Sequence, residues 1–220
     1  MNSKKNILHR ILCLLMLSSL SVAAIAQSSD FQPYFSFGTA HGVSFSSINF
    51  YPAVAQNELM GYYGGIAASY ISEKNFGLQA ELNYSQRGWK EEGTGYSQRR
   101  LNYIEMPVLT HFYLGGSFRW FLNVGPKIGY FLFEKDKNTM SQPSTEYTLP
   151  IANKFDYGIC GGSGFELYTK SMSYVLEARY SFSLSDIFPD AKSDAFGSSG
   201  NEFISITLGV FIHYRPQLHH

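Results

Sequence analysis

The charged residues of this sequence recur on one face of segments in which polar and apolar residues alternate. Side chains two positions apart on a β-strand point to the same side, so these charges are predicted to share one surface. Charges that face a narrow interior must pair, because an unpaired buried charge is costly. We therefore predict a structural ion-pair network, with a gated polar path for small ions as the alternative. Its candidate members are the acids Glu81, Glu105, Asp156, Glu166 and Glu177 and the bases Arg87, Arg119, Lys127, Lys154 and Arg179.

Hydrolytic chemistry would require a serine or an aspartate close to a histidine. By parity His41 faces outward while His111 and His213 face inward, and no Ser-His-Asp spacing stands out. The sequence carries no phosphate loop, zinc motif or dinucleotide fingerprint. The terminal His219–His220 pair could bind a metal weakly, although a lone terminal pair is more often incidental. The aspartate-rich connection 185–201 could bind calcium, but its spacing does not match an EF-hand loop. We predict no catalytic residue, cofactor or metal site, and keep an enzyme acting on lipid or peptide as a lesser alternative.

The composition excludes several classes of protein. The 220 residues hold 17 Lys and Arg against 17 Asp and Glu, without the basic excess that is usual for nucleic-acid binders. Aromatic residues make up 16% and charged residues only 15%, below the roughly 25% charge of soluble domains. Disorder requires the opposite balance. Two cysteines cannot build a disulfide scaffold or a cysteine-based zinc site.

The N-terminus reads as a targeting segment. Lys4, Lys5 and Arg10 precede an apolar run, and Ala24-Ile25-Ala26 matches a small-residue cleavage site. We predict a secretory signal peptide over 1–26 and a single domain over 27–220, with an N-terminal membrane anchor as the alternative. Cleavage would leave 14 basic and 17 acidic residues, a net charge of −3. Cys160 would then be the remaining cysteine.

The elements that must position the charges are β-strands. Apolar and polar residues alternate with a period of two, most clearly over 76–85, and no window of 18 apolar residues suggests a spanning helix. The pattern predicts eight strands, at 34–45, 60–71, 76–85, 101–114, 118–132, 155–168, 174–184 and 202–214.

The connections between these strands alternate between long and short. Long connections are predicted at 46–59, 88–98, 134–153 and 185–201, and tight ones at 72–75, 115–117 and 169–171. Transmembrane barrels combine short periplasmic turns with long outer loops. The apolar faces carry almost no charge, as lipid contact requires, whereas the outer face of a soluble barrel would be charged. We therefore predict an all-β, eight-stranded antiparallel up-and-down transmembrane β-barrel, whose interior is just wide enough for side chains to fill.

Aromatic residues near the predicted strand ends fit interfacial girdles. Those beside the tight turns are Tyr70, Phe76, Phe112, Phe118, Tyr168 and Tyr174, and those beside the long connections are Phe45, Trp89 and Phe133. Aromatic residues favour strands in any case, so the girdles add little on their own.

Several runs resemble the PorT-like outer-membrane β-barrel family of Bacteroidetes-type bacteria. They are GLQAELNYSQRG at 77–88, LNYIEMP at 101–107, NVGPKIGY at 123–130, FDYG at 155–158 and LEARY at 176–180. The resemblance implies a fold and an outer-membrane location more than an activity. The founding member is tied to a secretion system for surface proteins, so it also implies a possible accessory role in secretion. The tail after Tyr214 departs from the terminal aromatic that is usual in such barrels.

The expected protein is thus a small outer-membrane barrel with a plugged polar lumen. We expect a structural or surface-interaction role through the long extracellular loops; the alternatives are an accessory part of a secretion system and, less favoured, a barrel enzyme. The expected partners are outer-membrane lipid, the barrel-assembly machinery during biogenesis and, under the secretion alternative, secretion-system proteins. Nucleic acid is not expected as a partner, and the barrel is expected to be a monomer exported through the inner membrane.

Overall fold

A computed structural model describes residues 31–51, 56–91, 97–138, 153–186 and 198–215 of the chain. The predicted signal peptide at 1–26 and the His219–His220 pair lie outside these ranges. Within the described ranges, no helix has the length and apolar character needed to cross a membrane.

The described residues form eight β-strands, as the period-two alternation predicts. β-Branched and aromatic residues on the outward positions favour the extended backbone. The strands are β1 (Tyr34–Tyr51), β2 (Gln56–Glu73), β3 (Phe76–Glu91), β4 (Ser97–Gly115), β5 (Phe118–Asn138), β6 (Phe155–Tyr168), β7 (Met172–Asp186) and β8 (Ser198–Tyr214).

Each strand pairs antiparallel with its neighbours in sequence, and β8 pairs with β1 to close the barrel. A path followed along the paired residues from Phe35 around all eight strands returns to β1 at Phe45, ten residues further on. Such a stagger requires tilted strands, typically by about 35–45°. The predicted eight-stranded antiparallel barrel is therefore confirmed.

The predicted long connections were wrong in extent, because part of each belongs to strands. β1 continues to Tyr51 and β2 begins at Gln56, so most of the predicted connection 46–59 is paired backbone. β3, β4 and β5 likewise extend into 88–98 and 134–138. These residues are mostly polar, so they lack the apolar alternation that marks strands against lipid. What remains outside the described ranges on this side is 52–55, 92–96, 139–152 and 187–197.

Three tight turns lie at the opposite end of the barrel, together with the start of β1 and the end of β8. Asn75 occupies the left-handed region in the first turn, with φ 75°, a conformation that asparagine tolerates better than most residues. Its side-chain amide donates to the carbonyl of Tyr113 at 2.6 Å. Gly115, with φ 123°, opens the second turn. We call this end of the barrel lower and the end of the longer connections upper.

The outer face is apolar and the inner face is polar, the inverse of a soluble barrel. Leu208 is 68% exposed and Ile66 is 63% exposed, while the charged residues lie inside. Exposed aromatic residues cluster at two levels: the lower set includes Phe35, Tyr70, Phe76, Phe112 and Tyr174, and the upper set includes Tyr62, Tyr130, Tyr157 and Tyr180. Trp89 departs from its expected place in the upper girdle. It is buried, and the guanidinium of Arg99 lies over its ring.

Candidate functional site

The lumen contains nine of the ten charged residues that parity assigned to it. Each of the nine is buried and lies on an inward position of β3 to β7. Lys154 is the exception: it precedes β6, its side chain is exposed, and its carbonyl accepts a hydrogen bond from the amide of Phe131. Parity failed there because it applies only within a strand. The lumen therefore holds five acids and four bases rather than five of each.

Arg87, Glu105, Lys127 and Asp156 form the upper cluster. Arg87 donates to one oxygen of Asp156 at 2.7 Å, and Lys127 donates to the same oxygen at 2.9 Å. Arg87 also donates to Glu105. Because β3, β4, β5 and β6 are consecutive in the barrel, their inward side chains meet across one part of the wall. Two bases face two acids, so the upper cluster is electrically balanced.

The surroundings of the upper cluster leave little freedom to its members. The guanidinium of Arg87 lies between the rings of Tyr103 and Phe203, at 4.8 and 4.4 Å from their centroids. Ser185 donates to the second oxygen of Asp156, and Lys127 donates to the hydroxyl of Ser183. Arg87 is fully buried, so these contacts replace its hydration.

The lower cluster comprises Glu81, Glu177, Arg179, Arg119 and Glu166. Arg179 donates to both oxygens of Glu81, at 2.6 and 2.7 Å, and to both oxygens of Glu177, at 3.0 Å each. This forked arrangement is the geometry in which arginine binds carboxylates most strongly. The contact between Arg179 and Glu81 joins β7 to β3 across the lumen.

Amide side chains complete the shell around the two carboxylates. Asn83 and Gln79 both donate to Glu81 at 2.7 Å. Asn123 donates to Glu177 at 3.2 Å, and its carbonyl oxygen contacts the imidazole of His111 at 2.7 Å. Since the amide nitrogen of Asn123 is committed to Glu177, Nδ1 of His111 is the donor in this contact.

Arg119 and aromatic rings close the lower end of the lumen. The guanidinium of Arg119 lies 3.5 Å from the ring centroid of Tyr168 and 4.4 Å from that of Tyr113. It donates to the hydroxyl of Tyr34 at 3.1 Å. Its approach to the carboxylate of Glu166, at 3.5 Å, is an ion pair without a hydrogen bond.

A cavity of about 40 Å³ separates this floor from the group around Arg179. Its walls include the three acids of the lower cluster, both inward-facing histidines and several hydroxyl side chains. The hydroxyl of Ser36 contacts Nδ1 of His213 at 2.7 Å, while Nε2 of His213 is buried without a partner in the described part of the chain.

The upper mouth of the lumen is closed in part by residues that the sequence analysis placed in loops, namely Leu59, Trp89 and Glu134. Leu59, Trp89 and Leu101 are buried there, and Arg99 forms an ion pair with Glu134. The second nitrogen of the Arg99 fork donates to Glu134 at 2.9 Å. Trp89 lies two positions after the inward-facing Arg87, so the alternation along the strand could have predicted that it also faces inward. The polar residues around Trp89 hid this alternation.

His41 lies on the outer face within a closed hydrogen-bond chain. Its ring nitrogens contact the hydroxyls of Tyr62 and Thr39, both at 2.5 Å, and Thr39 donates to the carbonyl of Gly65 at 2.8 Å. Since Thr39 gives its proton to Gly65, it accepts from Nε2 of His41, and Nδ1 accepts from Tyr62. The three side chains thus satisfy one another on a face where lipid offers no hydrogen bonds.

The arrangement supports charge pairing better than catalysis. In the ranges that the structure covers, no group of three or more His, Cys, Asp or Glu side chains is placed to hold a metal ion. Ser36 and His213 are in contact, but no carboxylate hydrogen-bonds to the second nitrogen of that histidine.

Comparison with known proteins identifies one family. The sequence profile described as "Outer membrane protein beta-barrel domain" matches residues 25–189, about three quarters of the chain. No curated protein sequence matches.

Solved structures of small outer-membrane proteins are similar to this chain at low sequence identity. The outer membrane protein OprG from Pseudomonas aeruginosa is 13% identical, with a TM-score of 0.53 over 84% of this chain and 97% of that one. Ail, the attachment invasion locus protein of Yersinia pestis, is 11% identical, with a TM-score of 0.44 over 84% of this chain and 100% of that one. The outer membrane enzyme PagL is 13% identical, with a TM-score of 0.40 over 79% and 97%.

Proposed function

The chain belongs to the outer membrane protein β-barrel domain family and resides in the outer membrane, and from this premise we propose that it is a closed barrel that works through its upper, extracellular end. Its role is structural or one of surface interaction. It acts as a monomer in outer-membrane lipid and carries out no enzymatic reaction.

The observation that carries this proposal is the filled lumen. From bottom to top, the described interior contains the Arg119 floor, the group around Arg179, the upper cluster and the Arg99–Glu134 mouth. Each layer contains ion pairs between acidic and basic side chains, and an ion that crosses the lumen would have to separate them. A conducting path would require several buried pairs to open together, at a cost of several kcal/mol for each charge that stays buried without its partner.

The length of the strands supports a role above the membrane. About 9–11 residues of a tilted strand cross the apolar core, whereas β4 has 19 residues and β5 has 21. The apolar outer face begins at the tight turns, so the surplus lies at the upper end. The paired wall therefore rises beyond the lipid and supports the longer connections, where binding surfaces commonly reside.

Conductance tests the closed lumen. The purified barrel is inserted into planar lipid bilayers in KCl, and current is recorded across a range of voltages. We expect no stable open level, because the ion pairs fill the interior. A reproducible open level in the wild type would contradict the proposal. A variant that combines Arg87→Ala, Arg99→Ala, Arg119→Ala and Arg179→Ala serves as the control, since removing the guanidinium of every layer should admit water and current.

Cross-linking in living cells tests the working end. A photo-reactive residue replaces Lys135 on the upper part of β5 or, as the matched control, Lys170 in a lower turn; both side chains are exposed. We expect discrete adducts with surface components from position 135 and none of these from position 170. The same adducts from both positions, or none from position 135, would count against an extracellular role.

The alternative function is an accessory part in a protein secretion system. The motifs shared with PorT-like barrels favour it, since the founding member of that family is tied to secretion. A deletion strain and its parent are compared for their surface and secreted proteins. Loss of a defined group of exported proteins would favour the secretion role, and an unchanged export profile would favour the surface role.

A further inference from the structure

Polar side chains without a described hydrogen bond line the cavity in the lower lumen, and the buried Nε2 of His213 is one such group. Glu166 is 7% exposed, and no hydrogen bond to its carboxylate comes from any residue in the described ranges. Ser69, Ser173 and Thr207 also line the cavity, are more than nine-tenths buried, and donate to no described residue. Buried groups of this kind are nearly always satisfied by protein, water or an ion. All of these side chains line the same cavity, which indicates that whatever occupies the cavity forms hydrogen bonds or ionic contacts with them.

The charge of the lower cluster is also incomplete. Three carboxylates, from Glu81, Glu166 and Glu177, face two guanidiniums, from Arg119 and Arg179. These pairs leave one negative charge over among buried side chains. A further guanidinium, that of Arg215, donates to the hydroxyl of Tyr168 at 2.7 Å but is exposed. Buried charge without compensation is costly, so the protein must take up one positive charge there. The upper cluster, with two acids and two bases, has no such need.

The size of the cavity limits what can supply this charge. A water molecule needs at least about 10–15 Å³ of such space, so a cavity of about 40 Å³ holds about three molecules of that size. A metal ion with one or two waters fits this space, and an organic cation does not. The lower cluster has a net charge of −1. A divalent cation would change this to +1 and leave a positive charge uncompensated.

We propose that this cavity binds one small monovalent cation, sodium or potassium. The carboxylate of Glu166 and the hydroxyl of Ser173 supply oxygen ligands, the type that hard cations prefer. Waters and the hydroxyls of Ser69 and Thr207 complete the shell. The ion balances the lower cluster as a structural component, and the floor of Arg119 and Tyr168 retains it.

Thermal unfolding of the intact barrel in detergent micelles tests the proposal. Loss of strand signal in circular dichroism is followed in NaCl, in KCl and in N-methyl-D-glucamine chloride at equal ionic strength and pH. We expect the Tm to be about 2–4 °C higher with at least one of the small cations, because an ion that binds the folded state alone stabilises it. Equal Tm values in the three salts would overturn the proposal, and a proton on one of the acids or on His111 would then supply the charge.

Two charge-neutralising variants locate the effect. Glu166→Gln removes both the unsatisfied carboxylate and the surplus charge, so its Tm should not depend on the cation. Glu105→Gln is the matched control in the upper cluster, and it should lower the Tm in every salt while keeping the difference between salts. Cation dependence that persists in Glu166→Gln, or that disappears in Glu105→Gln, would contradict a site in the lower cavity.

Anomalous diffraction gives a second measurement that does not depend on the variants. Thallium(I) substitutes for potassium and scatters anomalously. In crystals of the wild-type barrel grown with thallium(I), we expect one peak in the cavity, next to Glu166. A cavity occupied by water alone under these conditions would overturn the proposal even if the salts differ in their effect on the Tm.

Discussion

The upper and lower clusters solve the same problem of buried charge in different ways. In the upper cluster, two bases and two acids bond directly, and Arg87 is held between two aromatic rings. In the lower cluster, three acids share two bases around a cavity lined by hydroxyl groups. The upper cluster resembles a packed core in which every position is fixed. The lower cluster has room for water or an ion, so it can tolerate change.

This difference should determine how each cluster responds when its central arginine is lost. Arg87→Met leaves Glu105 and Asp156 to share Lys127 alone in a packed region, and we expect it to lower the free energy of unfolding by about 3–5 kcal/mol. Arg179→Met exposes Glu81 and Glu177 to a cavity that water can enter, so a smaller loss of about 2–3 kcal/mol is expected. Urea unfolding of the refolded barrel in lipid vesicles measures both.

A control variant tests whether the loss of stability is specific to the buried arginines or follows the removal of any positive charge. Lys170→Ala, in an exposed lower turn, should change the free energy of unfolding by less than about 0.5 kcal/mol. Equal decreases in the free energy of unfolding for Arg87→Met and Arg179→Met would show that the cavity does not reduce the cost of losing an arginine from the lower cluster.

The two clusters are also expected to lie at different depths in the membrane. Leu82 follows Glu81 and pairs with Ile66 among aliphatic side chains, whereas Ile104 precedes Glu105 and pairs with Tyr84 and Tyr130 at the upper aromatic level. Leu82→Arg should therefore cost about 2–4 kcal/mol and Ile104→Arg about 0–1 kcal/mol. The same unfolding assay measures both, and the reverse order would place the lower cluster, rather than the upper one, near an interface.

The smallest expected effects concern two serines. Ser183 accepts a hydrogen bond from Lys127 at 3.2 Å, so Ser183→Ala should cost about 1–2 kcal/mol. Ser173 faces the cavity without a described hydrogen-bond partner, and Ser173→Ala should cost less than about 1 kcal/mol when the small cations are absent. Their free energies of unfolding are compared in N-methyl-D-glucamine chloride. A larger loss for Ser173→Ala would mean that its hydroxyl is bonded within the protein.

Strand parity predicted most of the fold and the members of both clusters. An inward position in a barrel is fixed by the alternation along one strand, so Glu81 and Glu177 could be assigned without knowledge of their neighbours. Lys154 could not, since it lies just before the strand that would define its direction. Residues such as Trp89 were misplaced because above the lipid both faces of the wall meet polar surroundings, and the alternation that reveals a strand fades.

The pairing across the lumen and the cavity were beyond the reach of parity. Arg179 bonds Glu81, 98 positions away, because the ten-residue stagger brings inward positions of β3 and β7 to one level. Sequence patterns do not specify that stagger. The cavity in turn depends on how large side chains such as Phe121 and Phe211 fill the lower lumen, which is a matter of volume rather than of polarity.

The strand origin of each cluster has a consequence for the order of folding. The upper cluster draws one charged residue from each of β3, β4, β5 and β6, so a curved four-stranded sheet contains all four charges before the barrel closes. The central bonds of the lower cluster join Glu81 on β3 to Arg179 on β7. Bringing these two strands together closes a long loop, which costs conformational entropy, so we expect the contact to form late. We therefore expect the upper cluster to form first and the lower cluster to form as the barrel closes, when the lumen last has access to bulk water and dissolved ions.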